Sequence, residues 1–564
     1  MLDRIVRVNM SSLEITMEEL PEKYLKLSGR GLTSRVVVDE VNPLADPLGP
    51  HNKLVLSCGL LAGTGVSSSG RLSVGAKSPL TGGIKESNAG GIAAFKMARL
   101  GIRAIIVEGM SQTGHYHVLV LDKNGGSLKP GGDLSMLGVY GKAKKIYDRY
   151  GKNVGAVIIG PAGERRQVTA GITNNDPAGN PSRYCGRGGL GAVMGSRGLL
   201  AVILDDTGAS PPGPVRKDEF LSRAKQINSW IKDTPQTAEG FPRYGTAAML
   251  DITNAIGGLP TRNFSSGSFE GAEKINGHAL HNTIVSRGGQ GTPTHSCMPG
   301  CHIKCSNIFP GKDGNAIVSP LEYETIGMVG ANCGIDDLDV IARINYLCND
   351  YGVDTIEVGC TLAVAMEAGL MPFGDSGRAL AAVEEMAKDS FLGKIIASGV
   401  VTAGRVLGVY RVPAVKGQGM PAYDPRAIKG TGVTYATSPM GADHTAGNTV
   451  RQKLRHSLKE GQVRASMNAQ MGSALMDCLG LCVMLGAALK DRGLLAELVA
   501  CRFGSQITLE DLQEVARETL EIEKEFNKRA GITAPLDRLP EFFYQETNPV
   551  TGSVFDISRE ELEQ

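Results

Sequence analysis

The sequence carries almost no net charge: 59 Lys plus Arg stand against 58 Asp plus Glu, a formal balance of +1. A nucleic-acid or polyanion binder needs a basic field, so that class is excluded as the main function. The chain also lacks any apolar run of the roughly 18–20 charge-free residues that cross a bilayer. Its nearest candidate, 471–490, contains Asp477 and is rich in Gly and Cys. The first twenty residues alternate apolar and polar, without a basic start, an apolar core or a cleavage-like site, so no export signal is read. No fixed-period repeat and no low-complexity tract occurs. The expectation is a soluble cytoplasmic protein with neither a membrane nor a nucleic-acid partner. In that setting 11 cysteines, several closely spaced, point to metal binding rather than to a disulfide framework.

Glycine is in excess, with 74 among 564 residues, nearly double the usual ~7%. Glycine lets main-chain N–H groups approach a ligand closely, so Gly clusters amid ordinary hydrophobic patterning suggest a large cofactor wrapped by backbone. The length predicts several packed units. Short β-type runs dominate up to about Asp206, and the Pro-rich stretch 209–215 is the best linker. Helical spacing follows at 217–232, 338–349, 355–369, 378–389 and 508–528, the last with Thr508 as N-cap and Asp511 three residues on. The fold expected is α+β: a mainly β domain over 1–208 as the cofactor base, then mainly helical domains over 216–410 and 411–564.

Three cysteines, Cys297, Cys301 and Cys305, are each separated by three residues in HSCMPGCHIKCSN, close enough for one loop to present three thiolates to one cluster. A fourth must come from elsewhere; Cys482 in DCLGLC is the candidate, with Cys478 four residues away as its competitor. Local histidines keep zinc open as an alternative. The glycine-rich segments 57–91 and 183–197 combine backbone donors with Arg71 and Arg187, suited to phosphate oxygens, while Asn88 and a neighbouring carbonyl suit a bridging magnesium. Two segments, 349–354 and 477–482, set a glycine at the end of a helical pattern beside an aspartate that could bind a pterin's aminopyrimidone edge. Glu324, in LEYET, and His444, in MGADH, are natural acid–base partners.

Taken in order, these segments resemble the aldehyde:ferredoxin oxidoreductase family over nearly the whole chain: GRLSVGAKSPLTGG, ESNAGG, GRGGLGAVMGS, LPTRNFSSGSFEGAE, LEYETIGMVGANCGIDD, CNDYGVDT, PAYDPRAIKG, YATSPMGADH and DCLGLC. The resemblance implies a tungsten bis-pterin centre, with molybdenum as the alternative metal, one 4Fe-4S cluster, and magnesium bridging the pterin phosphates. It assigns Arg71, Asn88, Gly90, Arg187 and Gly188 to phosphate and magnesium, Asn349, Asp354 and Asp477 to the pterins, Cys297, Cys301, Cys305 and Cys482 to the cluster, and Glu324 and His444 to the active site. The implied reaction converts an aldehyde to a carboxylate. Glu324 activates water, His444 meets the carbonyl oxygen and Tyr323 orients Glu324, while electrons pass to ferredoxin or a ferredoxin-like subunit; a homodimer or hetero-oligomer fits this pattern. Two departures stand out. The first two cluster cysteines have three residues between them where better-known members have two, and Asn349 replaces an aspartate. The competing readings are a benzoyl-CoA reductase-like subunit of the same family, a radical-generating iron–sulfur protein using S-adenosylmethionine, and a zinc-stabilised scaffold.

Overall fold

A computed structural model of the chain describes residues 4–112, 114–210 and 213–563. Pro211 and Pro212, at the centre of the expected linker, lie outside the described residues. Internal contacts group the chain into two units: Met1–Glu239 with Ser296–Lys304 and Ala474–Ala530, and Gly240–His295 with Cys305–Ser473 and Gly531–Gln564.

The first unit is built on two six-stranded mixed sheets. The first contains β1 (Arg4–Asn9), β2 (Glu14–Glu19), β3 (Leu54–Cys58), β4 (Leu72–Lys77), β5 (Ile84–Ala89) and β6 (Ile102–Glu108), in the order β2-β1-β6-β3-β4-β5. The second contains β7 (His117–Asp122), β8 (Gly125–Pro130), β9 (Gly155–Ile159), β10 (Ile172–Asn174), β11 (Arg183–Cys185) and β12 (Leu199–Leu204), in the order β11-β10-β9-β12-β7-β8. The period of two sorts the side chains. Val6, Val8, Leu54, Leu56, Ile105 and Val107 share one core with Val118, Ile158 and Val202 of the second sheet. Their neighbours Ile5, Val55, Ala104 and Ile106 face the other way, onto Leu32, Val36 and Val37 of the helix Gly29–Glu40. Edge strand β2 carries Glu14, Glu18 and Glu19, which discourage pairing with another chain.

The second unit is mainly helical, with helices including Leu338–Tyr351, Thr355–Glu367, Ser376–Lys388 and Lys429–Thr437 beside a small sheet of Thr292–His295, Ser306–Pro310 and Ala316–Val318. Asp337, Asp354 and Asp375 each cap the helix that follows by accepting a backbone N–H, which satisfies donors otherwise orphaned at a helix start. The helix Thr355–Glu367 is buried over nearly its whole length and so serves as a core element rather than an amphipathic surface one.

The α+β architecture agrees with expectation, but the contacts do not divide into three consecutive segments. Ala474–Ala530 returns to the β-rich unit because Phe526 packs on Val36 and Ile106, and because Gly480 closes on Gly59. The helix Leu509–Arg529 starts at the expected capping box of Thr508 and Asp511. Among the described residues no helix is long and apolar enough to cross a membrane.

Candidate active site

In the first unit the cysteine loop lies along the glycine-rich segment. The Gly91 N–H donates to the Cys297 carbonyl at 2.8 Å, and the His302 N–H donates to Ser67 Oγ at 3.1 Å. A Cβ on Gly90 would stand 2.9 Å from Cys297 Sγ, so the thiol is seated where only glycine leaves room. The Cys482 N–H donates to the Ser68 carbonyl at 2.8 Å, which draws the end of the helix Gln462–Cys478 to the same segment. There the left-handed Gly480 meets Gly59: a Cβ on Gly480 would come within 2.6 Å of the Gly59 Cα. Arg71 Nη1 lies 4.0 Å from Cys482 Sγ, and its charge also bears on Cys297. A hydrogen bond with Cys301, reinforced by burial, holds the Cys297 thiol well above its ordinary range, against the pull of Arg183 and Arg71. Cys478 turns elsewhere, to Thr519 Oγ1 at 3.6 Å, and burial pushes its thiol up to about 12. Cys305 belongs to the second unit, where it bridges to His295. Among the described residues no three His, Cys, Asp or Glu side chains close on one point as metal ligands.

Behind this segment runs a buried chain of polar groups. Arg71 donates to both carbonyl oxygens of Asn88, through Nε to the side chain and through Nη2 to the main chain at 2.7 Å. The sequence assigns Arg71 to phosphate and Asn88 to magnesium; in this structure Arg71, just ahead of β4, and Asn88, on the neighbouring β5, bond to each other. Asn88 Nδ2 donates to Asp477 Oδ1 at 3.0 Å, and Arg30 Nη1 donates to Asp477 Oδ2 at 3.4 Å. Arg30 also grips Glu523 through two bonds of 2.9 and 2.6 Å, with Ser34 Oγ adding a third at 2.6 Å. Glu86 Oε2 accepts weakly from Asn88; burial, with the nearby Asp477 charge, raises its carboxyl to about 8. Arg187 is buried, and the adjacent Gly188 carbonyl accepts from Ser78 Oγ at 2.7 Å.

In the second unit Glu324 sits on a single helical turn, Tyr323–Thr325, that runs into a π-helical turn at Ile326–Gly330, a widening that often marks functional sites. Its Oε2 accepts the Ala422 N–H at 2.9 Å, and its Oε1 stands 3.7 Å from His444 Nε2. Glu324 Oε1 and His444 Nδ1 are both buried without a hydrogen-bond partner. Tyr323 does not touch Glu324. Its hydroxyl donates to the Ala422 carbonyl at 2.5 Å and lies 2.9 Å from Thr253 Oγ1, so carboxylate and phenol hold opposite polar groups of one residue. Tyr423 packs on Tyr323 with ring centres 5.3 Å apart and stacks on His444 at 6.4 Å and 25°. Burial, then the Glu324 charge, lifts its phenol well above the usual range.

The other expected pterin residues are also placed. Asn349 lies in the last turn of the helix Leu338–Tyr351, which ends at the left-handed Gly352 as the sequence pattern suggested. Asp354 serves a purpose the sequence reading did not give it: its Oδ1 accepts the Ile356 N–H at 2.9 Å as an N-cap. Arg30, Glu86, Glu523 and Tyr423 were not singled out from sequence. Arg30 and Glu523 lie 493 residues apart and no local pattern joins them. Tyr423 was visible within PAYDPRAIKG but had no acid–base partner nearby in sequence.

Comparison with known proteins matches both parts of the chain to family models. Residues 5–206 match the aldehyde ferredoxin oxidoreductase N-terminal domain, and residues 222–564 match domains 2 and 3 of the same family. A tungsten-containing aldehyde ferredoxin oxidoreductase from Thermococcus kodakarensis is 32% identical across 97% of this chain and 92% of its own length. Its counterpart from Pyrococcus furiosus is 31% identical with the same coverage. Among solved structures, the active-site complex BamBC of benzoyl coenzyme A reductase with 1,5-dienoyl-CoA superposes with a TM-score of 0.82 at 19% identity, covering 97% of this chain and 92% of that one; the likeness is one of fold. This chain therefore belongs to the aldehyde ferredoxin oxidoreductase family, a family of oxidoreductase enzymes.

Proposed function

We propose that this protein oxidises aldehydes to carboxylates at a tungsten centre held by two pterins, and passes the electrons singly through a four-iron cluster to a ferredoxin-like acceptor. The observation that carries the reading is the Glu324–His444 pair. A carboxylate and an imidazole 3.7 Å apart, each with a buried polar atom left unbonded, form an arrangement that is completed only when something else binds. The tungsten-containing relatives support the choice of metal.

The residues present suit the groups this reading requires. The thiols of Cys297, Cys301, Cys305 and Cys482 would hold the cluster, and the place of Cys478 against Thr519 supports Cys482 as the fourth. Arg71, Arg187, Gly90, Gly188 and the oxygens of Asn88 would serve phosphates and magnesium once the Arg71–Asn88 bonds are exchanged. Asp477, Asp354 and Asn349 would meet the pterins; Asp354 already commits one oxygen to its helix cap, and Asn349 brings a neutral amide. When bound, the metal supplies a Lewis acid and a two-electron acceptor, and the cluster divides the electron pair into single steps.

The chain's own residues handle the oxygen and proton chemistry. Glu324 Oε1 takes a proton from the water that attacks the aldehyde carbon, while the Ala422 N–H on Oε2 fixes the carboxylate's direction. His444 donates a hydrogen bond to the aldehyde oxygen, and Tyr423 stacked on its ring holds the imidazole plane. Tyr323 positions Glu324 through Ala422 rather than by contact.

The test is elemental analysis of anaerobically purified protein with an aldehyde panel and a viologen dye. About one tungsten, two pterins and four irons per chain, with aldehyde-dependent dye reduction, are expected. Zinc alone, or iron without tungsten, molybdenum or pterin, would overturn the reading. A ring-reduced thioester product without aldehyde turnover would move the protein to the reductive chemistry.

A further inference from the structure

The loop bearing the first two cluster cysteines has two chemically different faces. Met298, Cys301 and Ile303 are buried, whereas His302 and Lys304 point to solvent. The hydrogen bonds from Gly91 and His302 pin the loop to the glycine-rich segment, so its outer face is presented as a fixed surface. Lys304 is held at φ 50°, a left-handed conformation that a lysine adopts only when its surroundings impose it. Lys232, exposed in the last turn of the helix Lys217–Asp233, joins Lys304 in acting electrostatically on His302. Neither lysine has an acidic partner among the described residues. The adjacent Asp233 carboxylate accepts a hydrogen bond from Ser229 Oγ at 3.1 Å.

We propose that Lys232 and Lys304, with His302, form the docking surface for a small acidic one-electron iron–sulfur carrier on the outer face of the cysteine loop. Two exposed, unpaired cations suit a partner of opposite charge, because such pairing steers encounter and orientation more than it adds affinity. A rigid loop with thiols on one face and cations on the other brings the carrier to the backbone nearest the cluster. The inference rests on the reading that electrons leave through a cluster on these cysteines. Oxidation of one aldehyde with one water to a carboxylate releases three protons and two electrons. Two oxidised carriers each accept one electron from the cluster, docking in turn.

The experiment compares wild-type holoenzyme with the Lys232→Glu/Lys304→Glu variant and with Lys304→Asn, whose side chain tolerates the left-handed backbone. Reduction of an acidic ferredoxin by aldehyde is followed at increasing salt beside reduction of a cationic viologen. The double variant is expected to lose about tenfold or more in kcat/KM for ferredoxin at low salt and to lose the wild-type salt dependence. Its viologen turnover and its iron and tungsten contents should stay within about twofold of wild type, since the charges act at encounter rather than at chemistry. Lys304→Asn should lose a few-fold. Unchanged ferredoxin kinetics and salt dependence in the double variant would overturn the proposal. If wild type itself turns over no aldehyde with viologen, the functional reading fails, and calorimetric binding of oxidised ferredoxin still decides the surface: about tenfold weaker binding to the double variant supports it, and equal binding overturns it.

Discussion

Arg30 and Glu523 in the first unit are sealed from solvent and bonded through two parallel contacts, whereas Glu324 and His444 in the second stand 3.7 Å apart with one polar atom of each buried and unbonded. Both are pairs of acidic and basic side chains drawn from distant parts of the chain. In the first, both carboxylate oxygens and all three guanidinium nitrogens are bonded, with Ser34 adding to Glu523 and Asp477 taking the third nitrogen of Arg30, so it holds structure. The second is left incomplete, and incompleteness in a buried site costs free energy that only a bound partner repays. The contrast separates positioning from chemistry, and substitution can break it.

The largest effect is expected at Glu324. Glu324→Gln keeps the shape and the Ala422 contact but removes the base, so kcat with aldehyde should fall about 10²–10⁴-fold. Metal content and thermal midpoint should remain unchanged, as measured by elemental analysis and calorimetry beside dye-linked kinetics. A variant that loses its metal instead would place Glu324 among the structural groups and dissolve the contrast.

Arg30 should behave in the opposite way. Arg30→Met leaves Glu523, with 0% exposure, charged and without its cation, and removing one partner of a buried pair costs about 3–5 kcal/mol. Replacing both, as Arg30→Met/Glu523→Leu, should recover most of that loss, because the charge and its desolvation leave together. Denaturation in urea of the two single variants and the double variant closes the cycle. A double variant as unstable as Arg30→Met would show that the pair does more than satisfy itself.

Tyr323 lies between these extremes. Its phenol grips the Ala422 carbonyl while Glu324 grips the Ala422 N–H, so Tyr323→Phe should cost about 1 kcal/mol of stability as one hydrogen bond is lost. It should also lower kcat by up to about tenfold with KM little changed, because the carboxylate is less well aimed. Equal falls in kcat and in affinity would mean that the tyrosine meets substrate directly.

The legibility of these features in the sequence follows the distance over which each is encoded. The three-cysteine run and the Thr508–Asp511 capping box are both local patterns, and the structure forms the capping box where the pattern put it. The β-rich opening was legible because ten of its twelve strands are five to seven residues long, so their signal is carried by neighbouring residues. What was not legible is long-range. Nothing near Phe526 says that it packs on Val36, so the return of Ala474–Ala530 to the first unit could not be read. Glu324 and His444 were paired by residue chemistry and by family likeness; no local pattern joins them. Asp354 shows a further limit: an aspartate after a helix-ending glycine reads equally as a ligand for an amide edge and as the cap of the next helix. Its burial and its bond to Ile356 became visible only in three dimensions.

The smallest effect belongs to an ion pair with the same chemistry as Arg30–Glu523 but more water around it. Arg7 donates to Glu40 at 2.9 and 2.7 Å, and Lys53 adds a third bond to the same carboxylate. Burial alone would raise the Glu40 carboxyl, but hydrogen bonds from Arg7 and Lys53 outweigh it and bring the group down to about 2 from 4.5. A depressed carboxyl stabilises the fold above its unfolded value of 4.5 and loses that contribution as pH falls from there through about 2. Because water screens this group, the contribution is discounted to below about 1 kcal/mol. Glu40→Gln should therefore lie slightly below wild type in thermal stability at pH 6, with the gap closing as acid titrates the wild-type carboxylate. A gap as large as that of Arg30→Met would mean that burial is not what separates the two pairs. A small gap that closes in acid would leave exclusion of water, rather than the bidentate contact both share, as the source of the Arg30–Glu523 effect.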